Sequence, residues 1–81
     1  MPATNPEELR ARIGERIRGL AKLRRLTFTD IAREAGVSRA HLYGIVNGRT
    51  SATSDTLAKI ATALGVDPVA LVRPYRKPRG E

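Results

Sequence analysis

The 81-residue sequence has no cysteine and no tryptophan, a single histidine (His41), and three other aromatic residues, Phe28, Tyr43 and Tyr75. Without cysteine there is neither a disulfide nor a thiolate-bound zinc. His41 alone cannot build a metal centre without several carboxylate helpers, so no metal and no cofactor are expected. A chain free of thiols suits a reducing cytosol. Serine and threonine are plentiful, yet no Ser/His/Asp or paired-carboxylate arrangement points to catalysis, and an enzyme is not expected. Three aromatics are too few for a platform on which single-stranded bases stack, which argues against RNA although the charge alone would permit it. No apolar run approaches the ~20 residues of a membrane span. The opening Met-Pro-Ala-Thr-Asn-Pro-Glu-Glu lacks the basic and apolar regions of an export signal. A soluble, cytoplasmic protein is therefore expected.

What the sequence does have is positive charge, unevenly placed. Fifteen basic residues against eight acidic ones leave a net +7. Residues 1–25 carry +4, residues 26–72 are neutral, and residues 73–81 carry +3. The excess thus flanks a neutral middle. A polyanionic partner such as nucleic acid or an anionic membrane explains such a distribution, and a well-solvated surface is the plainer alternative. The length suffices for one domain. A domain this short buries only roughly 60% of its unfolded surface, so its stability is marginal unless it pairs.

Helix signals recur along the chain. Asn5 can cap, Pro6 suits a first helical position, and Glu7 and Glu8 favour the positive end of the dipole. Leu9, Ile13, Ile17, Leu20 and Leu23 then recur every three or four residues, predicting a buried stripe on a helix over about 6–24. Arg10, Arg12, Arg16, Arg18 and Lys22 lie mostly off it. Gly14 and Gly19 each weaken that helix by roughly 1 kcal/mol relative to Ala. Thr27 and Asp30 approximate a capping box for a second helix, which presents Ile31, Ala32 and Ala35 and stops at Gly36. Ser38 caps a third helix over about 39–47, with Leu42, Ile45 and Val46 inward. Thr53 caps a fourth, with Leu57, Ile60, Ala61 and Leu64 inward and Gly65 as the stop. Asp67-Pro68 opens a last short helix carrying Val69, Leu71 and Val72. No segment alternates like a strand, so the fold class is all-α.

The second and third helices are joined by Gly36-Val37-Ser38, a connection of helix-turn-helix length. Ala32 is small enough for the helices to cross closely, and Gly36 tolerates the positive φ of the turn. Leu42 and Ile45 anchor one face of the third helix, leaving Arg39, Ala40, Tyr43, Gly44 and Asn47 on the other. The pattern Ala32-x3-Gly36-x5-Leu42-x2-Ile45, with Val37-Ser38-Arg39 in the turn, resembles the lambda-repressor/Cro-like (XRE-type) helix-turn-helix family. Ile13-Gly-Glu-Arg-Ile-Arg is similar to that family's first helix, and Thr56-Leu57-x-Lys59-Ile60-Ala61-x2-Leu64-Gly65-Val66 to its fourth. The resemblance covers about residues 9–72.

It implies a compact five-helix bundle with the helix-turn-helix at helices 2 and 3, and the third helix in the DNA major groove. Arg39 and Ala40 would lead the base contacts, with Tyr43 and Gly44 further along. A guanidinium at 39 suits guanine O6 and N7, whereas Ala40 and Gly44 can only touch a thymine methyl or permit close approach. Thr27 and Ser38 would present helix N-termini to phosphates. Phe28, His41, Asn47 and the loop Arg49-Thr50-Ser51 complete the expected backbone contacts. Phe28 departs from the family, which usually has a polar residue there. It either packs on Tyr43 or Leu26 or meets the sugar-phosphate edge. Tyr43 in turn reads bases or forms the edge of the core.

The expected organisation is a disordered lead over 1–5, a DNA-binding domain over 6–72, and a basic, Pro-rich tail over 73–81 that is an arm along DNA or a disordered end. The expected function is a sequence-specific transcriptional regulator of the repressor type, working on double-stranded DNA as a homodimer. Val66, Val69, Leu71 and Val72 are the expected dimer surface, unless they cap the core. The rival is an antitoxin- or adaptor-like module gripping a protein partner. With no ligand-sensing segment in the sequence, control by concentration, proteolysis or a partner is expected.

Overall fold

The computed structural model describes residues 5–73, and the expectations for the first four residues and for the tail from 74 onward lie outside the described residues. Five helices follow in order: α1 (Pro6–Leu23), α2 (Phe28–Ala35), α3 (Arg39–Val46), α4 (Ser54–Leu64) and α5 (Val69–Val72). No strand occurs among the described residues.

The boundaries follow from local chemistry. Asn5 accepts the N–H of Glu8 at 2.7 Å and starts α1. Thr27 and Asp30 form a reciprocal capping box, each side chain taking the other's backbone N–H at 3.0 and 3.2 Å. Ser38 and Thr53 cap α3 and α4 in the same manner. Gly36 and Gly65 close α2 and α4 in the left-handed conformation, φ 72° and 73°, as expected of glycine at that position. The turn after α1 is different. It takes its left-handed residue at Arg25, φ 57°, where no glycine marks the stop.

α1 packs on α3 and α5, and α2 packs on α3 and α4. Their shared core comprises Ile13, Ile17, Ala21, Ile31, Ala32, Ala35, Leu42, Ile45, Val46, Ile60, Ala61, Leu64 and Leu71. Two expectations need correction. Leu23, expected in the buried stripe of α1, is 76% exposed. The 3.6-residue period carries the buried face through Ile13, Ile17 and Ala21, so Leu23 at the last position has turned away from it. Leu71, expected at a dimer surface unless it caps the core, is fully buried, because α5 folds back on α1 and uses Leu71 to close the core.

Gly14 breaks no helix. It is the point at which α1 approaches α3, where an added Cβ would run into the Val46 carbonyl oxygen. The helix propensity lost there is exchanged for backbone-to-backbone approach, which holds α3 close against α1.

Candidate nucleic-acid interface

α3 has two faces with separate tasks. Leu42, Ile45 and Val46 are buried and fix the helix to the core. Arg39, Ala40, His41, Tyr43 and Asn47 are exposed, so the sequence-expected reading face stands free of the fold. Both long side chains on that face are held by the first turn of α2. An Arg39 guanidinium nitrogen donates to the Thr29 hydroxyl at 3.2 Å. Tyr43, 44% exposed, meets Phe28 edge to face, with ring centroids 5.3 Å apart and planes at 75°. Phe28 therefore packs on Tyr43, the first of the contacts expected for it. Such aromatic pairs add roughly 0.5–1.5 kcal/mol beyond their burial. Neighbouring side chains thus orient Arg39 and Tyr43, which lie one helical turn apart.

The remaining expected contacts are distributed around this face. Gly44 is half-buried: an added Cβ would lie 3.0 Å from Thr50 Cγ2, and its carbonyl accepts the N–H groups of Arg49 and Thr50 at 2.9 and 3.3 Å. Thr50 is therefore partly covered, while Arg49 and Ser51 are exposed. The Asn47 amide oxygen accepts from Arg18 at 2.6 Å, which ties the end of α3 to α1. Away from the face, Val69 is 49% exposed and Val66 and Val72 are half-buried.

The two helix N-termini differ electrostatically. In α2 the capping box uses the backbone N–H groups of Thr27 and Asp30, and it places the Asp30 carboxylate at the positive end of the helix. The backbone and side-chain hydrogen bonds of Thr27, with Arg33 nearby, hold that carboxyl below its ordinary range. Asp30 also pairs with Arg33 at 3.0 Å. The first turn of α3 has no acidic residue, and Ser38 caps it with a neutral hydroxyl. Of the two, α3 is the better anion site.

Sequence reasoning missed several positioning residues. Thr29 was unassigned because its partner lies ten residues away on another helix. The α1 arginines, expected only to lie off the buried stripe, bond distant carbonyls: Arg10 donates to Gly48 at 3.3 Å, Arg12 to Val72 at 3.4 Å and Arg16 to Ala70 at 2.9 Å. Among the described residues no group of three or more His, Cys, Asp or Glu side chains is arranged to hold a metal. Nor is any described helix long and apolar enough to cross a membrane.

Comparison with known proteins places this arrangement. The helix-turn-helix domain family matches residues 12–73. An immunity repressor protein of Bacillus phage phi105 is 37% identical over 60 residues, which is 74% of this chain and 42% of that protein. The chain thus spans less than half the length of that relative. The crystal structure of a restriction-modification controller protein from Aeromonas hydrophila superposes with a TM-score of 0.74 at 27% identity, covering 76% of this chain and 94% of the other. An HTH_3 family transcriptional regulator from Vibrio cholerae superposes with a TM-score of 0.78 at 33% identity, covering 83% of this chain and 38% of the other.

Proposed function

Because the chain belongs to the lambda-repressor-like helix-turn-helix family, we propose that it is a sequence-specific regulator of transcription that binds double-stranded DNA and acts as a repressor. The observation that carries this reading is the outer face of α3. Arg39 and Tyr43 are exposed there, braced by Thr29 and Phe28, and backed by a buried Leu42, Ile45 and Val46. A helix held in this way enters a major groove with its side chains already oriented, which lowers the entropy lost on binding.

Arg39 bonds guanine O6 and N7, Tyr43 touches a thymine methyl or a base edge, and Ala40 allows close approach. Gly44 contributes by its small size beside Thr50. The N-terminus of α3 at Ser38, with His41 nearby, meets one phosphate. The exposed Arg49 and Ser51, with Thr50 and Asn47, meet the backbone on the other side. Thr27 and Phe28 contribute less than α3 does, since Asp30 occupies the α2 N-terminus. These phosphate contacts supply most of the affinity, and the α3 side chains supply the sequence choice. A homodimer then spans two half-sites about one helical turn, ~34 Å, apart. Val66, Val69 and Val72 are the α5-side residues left to serve it.

The test is selection of bound sequences from a random duplex library at near-physiological salt. Recovery of an inverted repeat with half-sites one turn apart is the expected result. If no motif emerges from the well-folded protein, the reading fails and a protein partner takes its place. Salt separates the two further, because each neutralised phosphate adds about −0.9 to the log–log slope of affinity against salt.

A further inference from the structure

The two glycines of α1 have opposite surroundings. Gly14 is required by the close approach of α3. A Cβ added at Gly19 would meet none of the described residues within 4 Å. Gly19 is exposed and lies mid-helix, where glycine is less favourable than any residue except proline. Nothing in the packing of the described residues requires it. Beside it stands Leu23, whose 76% exposure is the largest of any bulky hydrophobic among the described residues. Glu15, Arg16, Gly19, Leu20 and Leu23 line an apolar groove of about 410 Å³ along this side of the helix.

We propose that this face of α1 seats a second copy of the chain, with the two α1 helices crossing antiparallel at Gly19. An isologous contact needs a surface that complements itself, and this one does so in shape and in charge. Glu15, Gly19 and Leu23 fall four residues apart on one face, with Lys22 alongside. In an antiparallel crossing centred on Gly19, each Leu23 enters the other copy's groove over Glu15 and Gly19. The same register sets Glu15 beside the partner's Lys22. Both charges are available for this, with no side-chain bond among the described residues, whereas Arg16 and Arg18 are engaged by Ala70 and Asn47. The glycine at the crossing lets the helix axes approach, since interaxial distance depends on the side chains at the contact.

The surface also adjoins the exposed end of α5. Arg16 bonds the Ala70 carbonyl, and the Arg24 guanidinium lies beside Gly65, so this half of α1 runs along residues 65–70. The inference rests on the dimeric part of the reading above and names α1 as its principal contact.

Sedimentation equilibrium of the full chain over a concentration series tests it. The wild type is expected to be a reversible dimer. Leu23→Glu and Gly19→Gln should each weaken the dimer by about tenfold or more. Gly19→Gln should at the same time raise the Tm of the monomer by a few degrees, because glutamine is the better helix former. Greater stability with weaker association is an outcome that a purely structural role for Gly19 does not give. Glu15→Lys should weaken the dimer, and Lys22→Glu added to it should restore the dimer. A wild type that stays monomeric at every concentration overturns the proposal, as do variants that all associate like wild type. A monomer that still selects a DNA motif sinks this interface and leaves the DNA reading standing. A dimer through this face that selects no motif does the reverse.

Discussion

The arginines of α1 and the single arginine of α3 occupy opposite situations. Arg10, Arg12 and Arg16 reach carbonyl oxygens 38 to 60 residues away in sequence, and Arg18 holds the Asn47 side chain. They staple α1 to the end of α3 and to the four-residue α5, whose carbonyls have few helical partners of their own. Among the described residues Arg39 bonds only the Thr29 hydroxyl, and it is exposed at the start of α3. Four of the seven basic residues in the first 25 thus tie the fold together as well as contributing charge. The neutral middle of the chain carries Arg39, the side chain proposed above to read a base. Net charge reports that a polyanion is a plausible partner, and it locates the contact surface poorly.

The largest expected effect tests the division within α3 itself. Leu42 is fully buried, so Leu42→Ala should destabilise the fold by about 2–5 kcal/mol. Ala40 is exposed on the same helix, and Ala40→Ser should stay within about 0.5 kcal/mol of wild type. Urea denaturation followed by helical circular dichroism measures both. Comparable losses from the two would mean that the outer face is also part of the core.

Next in size is the exchange between the two arginine classes. Arg39→Ala should cost roughly 1–3 kcal/mol on the preferred duplex and relax preference at one base pair, with the urea midpoint unchanged. Arg16→Ala should lower stability by about 1 kcal/mol and leave base preference as it was. An equal loss from Arg39→Ala on every duplex would make it a phosphate contact and remove the contrast.

How much of this was legible in sequence depends on how far apart the partners are. Caps and stops are local, so Asn5, Thr27, Gly36, Ser38, Thr53 and Gly65 were each readable from a few neighbouring residues. The end of α1 was harder, because its left-handed residue is Arg25 and no glycine announced it. Periodicity gave the core of α3 and α4 correctly. It misplaced Leu23, since steps of three and four residues let the stripe drift, and Leu23 has rotated off the face of Ile13, Ile17 and Ala21. Likewise the apolar cluster of α5 does not show by itself that Leu71 is buried and Val69 exposed, because that depends on how α5 folds back on α1. The expected reading face was a spacing argument. Its bracing by Thr29 and Phe28 was invisible, because it depends on how two helices cross.

That bracing yields a smaller effect. Thr29→Val keeps the shape and removes the hydroxyl bonded to Arg39, and should reduce discrimination at the Arg39 base pair by about 0.5–1 kcal/mol. In a double-mutant cycle the loss should vanish once Arg39 is alanine. A Thr29→Val effect that persists on the Arg39→Ala background would mean that Thr29 contacts DNA on its own account.

The smallest effect separates the two helix N-termini. The Thr27 hydrogen bonds, with Arg33 nearby, hold the Asp30 carboxyl below its ordinary value of 3.8, so its folded pKa is depressed. The associated stability is present above the unfolded value and is lost as pH falls through the folded one. Melting curves from neutral pH downward should show wild type above Asp30→Asn near neutrality, with the gap closing below about pH 4. The same carboxylate repels phosphate from the start of α2, so Asp30→Asn should also bind duplex DNA more tightly at low salt, with no change in base preference. One substitution would then weaken the fold and strengthen binding. If binding were unchanged, no phosphate would approach α2, and α3 and the loop after it would carry the backbone contacts alone.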